Sequence, residues 1–341
     1  MTRPSFNKPR ASLIIPCRNE VRHIEGCLRN VLAFEPPPGG FEVLVVDGMS
    51  EDGTRDIVEQ WVNRDPRIRL LDNPERITPC ALNRGIRAAR GEVIVRIDVH
   101  TEYAPDYLCR CLEVLEETGA ENVGGPWVAH GESYLQRAVA AAFQSLFAVG
   151  GARGHKASYE GLVDTVYLGC WPRRVLEQIG LFDEELVRNQ DDEFNFRLIR
   201  AGGRVWQSPR IRSWYRPRST LGTLFRQYFQ YGYWKVRVMQ KHRRPASLRH
   251  LVPGGFVLVV LLLFLAAPFL VSARVGLAVV LGLYLVGVVF ASCAAAARAG
   301  WELLPVLPAV IACYHVGYGL GFLMGVWDFM LLRRSSGRFV A

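Results

Sequence analysis

The first third of the chain alternates short apolar runs with helical patterns. Ala11-Ser-Leu-Ile-Ile-Pro16, Phe41-Glu-Val-Leu-Val-Val-Asp47 and Glu92-Val-Ile-Val-Arg-Ile-Asp98 have the length and β-branched content of buried strands. Between them, Val21 to Phe34, Thr54 to Asn63 and Pro79 to Ala89 carry apolar residues at helical spacing. This alternation predicts an α/β domain built on a mostly parallel sheet with helices on both faces. Ligands of such sheets sit beyond the carboxyl ends of the strands. Those ends carry Pro16-Cys-Arg-Asn-Glu20, Asp47-Gly-Met-Ser-Glu-Asp-Gly-Thr54 and Asp98-Val-His100. Asp52 and Thr54 are expected to cap the next helix. Three acidic strand ends in succession point to a site.

The pattern changes after residue 250. Leu251 to Ala273, Val275 to Ala297 and Leu303 to Trp327 contain no charged residue. Each is long enough to cross ~30 Å of hydrocarbon as a helix, which predicts about three transmembrane helices. Pro305 and Pro308 leave open whether the third segment crosses or re-enters, and so on which side the chain ends. Gly317, Gly321 and Gly325 recur every four residues and predict a smooth stripe for close helix packing.

Charge follows the same division. The 341 residues carry a net +9. Residues 1–193 hold 22 Lys+Arg against 30 Asp+Glu, and residues 194–250 hold 14 basic and no acidic side chains. Only Arg274, Arg298, Glu302, Asp328, Arg333, Arg334 and Arg338 are charged beyond that point. An acidic-leaning domain (1–220), a basic aromatic interfacial helix (221–250), membrane helices (251–332) and a short basic tail (333–341) are therefore expected. A simple soluble protein is excluded. Phe225, Tyr228, Phe229, Tyr231, Tyr233 and Trp234 among basic residues suit the headgroup level better than nucleic acid. Lys235, Arg237, Lys241, Arg243, Arg244 and Arg249 precede the first span, which predicts a multi-pass inner-membrane protein with its globular domain in the cytoplasm. Residues 1–11 hold no apolar core, so no signal peptide is expected. The eight cysteines lack paired metal-ligand spacing and read as buried structural thiols. Neither a GxxxxGK[ST] loop nor a GxGxxG fingerprint occurs, which leaves nucleotide-triphosphate hydrolysis and nicotinamide binding without support.

Taken in order, the strand-end motifs with Asn83-Arg-Gly-Ile86, Gly169-Cys-Trp-Pro-Arg-Arg174, Gly180-Leu-Phe-Asp-Glu184 and Asp191-Asp-Glu193-Phe-Asn-Phe-Arg197 resemble the family 2 glycosyltransferases of the GT-A fold. Within that family the Asp-x-His motif, the Gln190-Asp-Asp-Glu193 run and the C-terminal spans are similar to the membrane-attached succinoglycan-type glucosyltransferases. The resemblance implies an inverting hexosyltransferase. It would move one sugar from a nucleotide-sugar such as UDP-glucose to a lipid-linked saccharide, among polysaccharide assembly partners. It also implies the roles of individual residues. Pro16, Arg18, Glu20, Asp47, Asn83, Arg84 and Asp98 would border the donor, with Asp47 accepting bonds from base or ribose. Asp98 and His100 would hold a divalent ion, Mn²⁺ or Mg²⁺, with His100 standing where the family usually has a second Asp. Alternation along an extended strand would put both on one face, with Glu102 behind His100. Asp191 would be the catalytic base, with the register against Asp192 left open. Gln230-Tyr-Gly-Tyr-Trp234 departs from the Gln-x-x-Arg-Trp of processive synthases, which argues for single-sugar transfer. A non-catalytic membrane scaffold that retained the fold is the competing class. A transporter subunit is disfavoured, because the only acidic residue in the spans is Asp328, near an end.

Overall fold

The computed structural model describes residues 8–151, 154, 156–244 and 247–334. They form two compact units. One comprises the chain up to Val128 and Lys156–Tyr215; the other comprises Ala129–His155 and the chain from Arg216 onward. The 129–155 segment falls inside the 1–220 domain expected from sequence. Residues of the 129–155 segment bond to the C-terminal helices: Tyr134 donates to the Glu302 carbonyl at 2.6 Å, and Tyr314 donates to the Val139 carbonyl at 3.1 Å.

The first unit contains ten strands: β1 (Ala11–Cys17), β2 (Phe41–Asp47), β3 (Ile68–Asp72), β4 (Val93–Arg96), β5 (Thr101–Tyr103), β6 (Asn122–Gly125), β7 (Gly161–Leu162), β8 (Tyr167–Pro172), β9 (Val205–Gln207) and β10 (Ser213–Tyr215). Eight of them form one sheet in the order β3-β2-β1-β4-β8-β6-β9-β7, and β5 pairs with β10 apart from it. The first four are parallel, whereas β8 runs antiparallel to β4 and to β6. The expected mostly parallel, two-faced sheet is what forms. Every residue of β2 is buried, as is required of a strand covered on both sides. Leu13, Ile15, Val43, Val45, Val93 and Val95 enter one apolar layer, while Ile14, Leu44, Val46 and Ile94 enter the other. Strand β3 escaped the sequence reading because Ile68-Arg-Leu-Leu-Asp lies at the sheet edge and is mostly half-exposed.

Helices α1 (Ile24–Leu32), α2 (Thr54–Arg64), α3 (Thr78–Ala88), α4 (Tyr107–Thr118), α7 (Arg173–Ile179) and α8 (Gln190–Arg200) belong to this unit; α5 (Tyr134–Phe143) and α6 (Leu146–Val149) lie in the 129–155 segment. In α1 the buried Ile24, Cys27, Leu28 and Val31 follow helical spacing. Asp52 and Thr54 do more than close α2, whose N-cap is Gly53. Asp52 accepts from the Val21 amide at 3.0 Å, and Thr54 Oγ1 accepts from the Glu20 amide at 2.7 Å. They pin the loop after β1.

The second unit holds α9 (Leu221–His242), α10 (Val252–Ala266), α11 (Val271–Ala299) and a C-terminal helix, Leu307–Leu331. Counting the short turn before α10, three helices are long and apolar enough to cross a membrane: Leu248–Ala266, Val271–Ala299 and Leu307–Leu331. The first break falls around Pro268, not at Arg274, which joins α11. The third segment is one helix. Pro308 occupies its first turn, where a missing N–H is tolerated, and wider π turns at Cys313–Gly317 and Val326–Leu331 interrupt its register. The outer faces of α10 and α11 expose Leu262, Phe264, Leu265 and Phe290, an apolar surface that water does not favour. Residues 335–341, with Arg338 of the expected basic tail, lie outside the described residues.

The glycine stripe packs as its spacing predicts, and its partner is α9. A Cβ on Gly317 would stand 3.1 Å from the Phe225 carbonyl oxygen, and one on Gly325 would stand 2.6 Å from that of Tyr233. Between them Gly321 abuts the Phe229 carbonyl. The two helices thus run parallel, four residues matching four. Tyr233 and Trp234 are buried, Tyr228 stacks on Tyr314, and Tyr233 donates to Asp328 at 2.9 Å. These aromatics of the expected interfacial belt are spent on internal packing. Gly321→Leu should force α9 from the C-terminal helix and destabilise the detergent-solubilised protein by about 1–3 kcal/mol or more. Gly282→Ala, in α11 with nothing within 4 Å of its Cβ position, should be neutral or slightly stabilising. Thermal unfolding of the two variants checks this.

Candidate active site

Parallel pairing of β1 with β4 brings their carboxyl ends side by side. The chain leaving β1 turns at Asn19, which adopts a positive φ of 55°, and the Glu20 carbonyl accepts from the amides of His23 and Ile24 at 2.9 Å each. Glu20 and His23 are thereby fixed at the entrance to α1. Strand β4 ends at Arg96, and the chain turns at residues 99–100, the Thr101 amide donating to the Asp98 carbonyl at 3.2 Å. The expectation that Asp98 and His100 share a face of an extended strand is corrected here. The Asp98 carboxylate instead accepts from the His100 backbone amide at 2.8 Å, and the Asp98 amide donates to Tyr103 Oη at 2.7 Å. This turn carries the His100 ring to Glu20, with Nε2 3.0 Å from Oε1. Glu102, expected behind His100, is exposed on β5; Glu20 takes that position.

His23 completes the group. Its ring meets that of His100 edge-on at 4.8 Å between centroids, and one donor atom each from Glu20, His23 and His100 lie within 4.8 Å of one another. Two imidazoles and a carboxylate suit a divalent ion of the first transition row, so the residues present fit the expected metal. The reading from sequence missed His23, although Glu20 and His23 stand three residues apart at a helix start.

Asp191 lies in the first turn of α8, and its carboxylate is bonded by the guanidinium of Arg96, the last residue of β4. Burial pushes the Asp191 carboxyl above the ordinary aspartate range; the positive charge of Arg96 pulls it back, while Asp192 and Asp98 add to the rise. Arg96 was also missed. The signal was present, since a lone arginine in an otherwise apolar buried strand requires an acidic partner.

The remaining candidates are engaged differently. Asp47, at the end of β2, is fully buried, and its carboxylate accepts from the amide and the hydroxyl of Ser50 at 3.1 and 2.5 Å. The loop folds back through Met49 at a positive φ of 58°. Pro16 sits in β1 opposite Val46, and Arg18 packs on Gly48. Asn83, in the middle of α3, is buried and exchanges two bonds with the Phe182 backbone, at 2.8 and 2.9 Å, and a third with Glu184 at 2.8 Å. Its amide is committed to anchoring the 182–184 segment. Arg84 forms a bidentate pair with Glu75 at 2.7 and 3.0 Å on the rim of a surface pocket shared with Asp72, Arg87 and Glu184. Asn83 and Arg84 are thus held by neighbours of their own, while Glu20, Asp98, His100, Arg96 and Asp191 gather where β1 and β4 end.

Fold and site together define a GT-A-type α/β domain with acidic strand ends. The chain belongs to glycosyl transferase family 2 and is a glycosyltransferase. The family profile matches residues 12–176. The succinoglycan biosynthesis protein ExoA of Rhizobium meliloti is 34% identical over 243 residues, covering 71% of this chain and 73% of that protein. A dolichyl N-acetyl-α-D-glucosaminyl phosphate 3-β-D-2,3-diacetamido-2,3-dideoxy-β-D-glucuronosyltransferase of Methanococcus voltae is 25% identical over 323 residues, 92% of this chain and 96% of its own. Among solved structures, the mannosyltransferase PcManGT of Pyrobaculum calidifontis, in complex with GDP-Man and Mn²⁺, shares the fold with a TM-score of 0.61 at 20% identity, over 94% of this chain and 88% of that one.

Asp191 is an acid whose folded pKa is raised, so its ionisation works against the fold. Its contribution is intact below the ordinary aspartate value and is withdrawn as pH rises through the folded one. Loss of Arg96 raises that pKa further. Arg96→Met should therefore lower stability by ~2 kcal/mol near neutral pH, less than a fully buried pair because Asp191 is a third exposed. The deficit should shrink as the pH falls to about 4–5. Unfolding temperatures of variant and parent across this range check the sign.

Proposed function

We propose that this protein is a membrane-attached inverting glycosyltransferase of glycan synthesis. It moves one sugar from a nucleotide-sugar, such as UDP-glucose, to a lipid-linked saccharide at the cytoplasmic face of the inner membrane. The observation that carries this reading is the convergence of two chemistries at the carboxyl end of β4: Arg96 holds Asp191, and four residues later His100 meets Glu20. The relatives support the substrate class. ExoA acts in succinoglycan biosynthesis, and the Methanococcus protein bears a dolichyl-linked saccharide in its name. The three apolar helices and the basic residues ahead of them support the membrane attachment and its orientation.

An in-line displacement needs an acceptor hydroxyl opposite the departing diphosphate and a base within hydrogen-bond reach of it. Asp191 fills the second role. A carboxylate with a raised pKa is a stronger base than an ordinary aspartate, and its bond to Arg96 fixes its direction. His100 would help hold a divalent ion, which would supply charge neutralisation at the diphosphate leaving group, and Asp98, bonded to the His100 amide, would border the donor beside it. Arg18 and Arg96 each bury an Nε–H that has no acceptor among the described residues, a loss of about 1–3 kcal/mol that an anionic donor would relieve. Asp47, bonded to Ser50 and 3.6 Å from the Arg55 guanidinium, would accept bonds from base or ribose on the donor side.

Membranes containing the protein should transfer label from one of a panel of radiolabelled nucleotide-sugars into extractable lipid. Asp191→Asn should lower the single-turnover rate by about 10²–10⁴-fold with little change in donor affinity. Asp98→Ala should instead weaken donor binding. An inactive Asp192→Asn beside an active Asp191→Asn would move the base by one residue. Parental rates in both would remove the base from this acidic run, and label transferred by no member of the panel would favour the scaffold class.

A further inference from the structure

Glu20, His23 and His100 lie on two segments that the fold brings together, and the ligand set they form differs from an all-oxygen one. The backbone holds two of them firmly. Glu20 donates its amide to Thr54 Oγ1 at 2.7 Å, and its carbonyl starts the turn into α1. The His100 amide is tied to Asp98 at 2.8 Å. Glu20 Oε1 and His100 Nε2 already stand 3.0 Å apart, the edge of a coordination polyhedron. His23 is exposed at the entrance to α1, so its ring has room to adjust. Two ligands bound at ~2.0–2.2 Å from a common ion stand at most about 4.4 Å apart. A small rotation of His23 therefore brings the 4.8 Å set within coordinating range.

We propose that Glu20, His23 and His100 form a two-histidine, one-carboxylate metal site. Its two nitrogens select Mn²⁺ and neighbouring transition ions over Mg²⁺ and Ca²⁺. Mg²⁺ and Ca²⁺ are hard ions that take oxygen ligands, whereas imidazole suits ions of the first transition row. The part that the ion plays in sugar transfer rests on the function proposed above; its binding does not. His23 is the residue that distinguishes this site from a pair made by Asp98 and His100 alone.

Mn²⁺ binding to the detergent-solubilised full chain can be read without any transfer assay, from loss of the free-ion electron paramagnetic resonance signal. One Mn²⁺ per chain should bind, with nitrogen hyperfine coupling from imidazole, and Mg²⁺ should displace it only in large excess. His23→Ala and the closer-shaped His23→Gln should each weaken Mn²⁺ by at least ~10-fold, since losing a ligand costs no less than losing a ligand's supporting partner. Mg²⁺ affinity should change little, so the preference between the ions narrows. His23 is exposed, and an unchanged unfolding temperature would confirm that both variants are folded. Parental Mn²⁺ affinity in both variants, absence of nitrogen coupling, or equal affinity of the parent for Mg²⁺ would overturn the site. Transfer that persists with parental Mn²⁺ affinity in the His23 variants would overturn this inference alone. Binding that depends on His23 in a chain that transfers no sugar would overturn the proposed function alone.

Discussion

A parallel sheet covered on both faces leaves its polar residues almost nowhere to go except the strand ends. In this chain β1, β2 and β4 are buried nearly throughout, each with alternate residues in opposite apolar layers. Chemistry-bearing side chains are therefore expelled to the turns. Pairing of β1 with β4 decides which turns become neighbours. Glu20 and His23 follow one strand, Asp98 and His100 follow the other, and every contact between them follows from that pairing. Position in the sheet outranks position in the chain, since 80 residues separate Glu20 from His100.

Arg96 at the end of β4 is, like the buried Glu42 of β2 with its partner Arg69, a charge that the layer tolerates. Charge in such a strand is stable only when a counter-charge arrives from elsewhere in the fold. The first turn of α8 supplies it through Asp191. The same contact orients a carboxylate and opposes the rise that burial imposes on its pKa, so the fold's requirement and the site's requirement are met by one bond. Asn83 shows the opposite outcome. A side chain that the motif places beside the donor is consumed in bonds to Phe182 and Glu184, which secure the segment leading to α8.

In the second unit the limiting interaction is steric. Between helices this apolar on every side, close approach of backbones is a source of cohesion. Gly317, Gly321 and Gly325 permit that approach along three successive turns of α9, and Tyr233 with Asp328 adds a buried polar contact. Tyr233 and Trp234 of α9 are accordingly drawn inward.

Sequence alone determined what periodicity and charge can carry: alternating strands and helices, the acidic strand ends, three apolar segments and the spacing of the glycine stripe. These are local properties, set by which face of an element must be apolar. The ordered motifs also carried the family. Tertiary structure decided the rest. A turn replaced an extended strand at Asp98–His100: the last bond to β1 is from the Ile97 amide, and the Thr101 amide then closes on the Asp98 carbonyl. His23 joined Glu20 and His100 through sheet order, and Arg96 found Asp191 across 95 residues. The helical reading of Leu307–Leu331 depended on where its prolines fell: Pro305 before the helix and Pro308 in its first turn. Partnerships of this kind are fixed by strand order and helix docking, which no local pattern encodes.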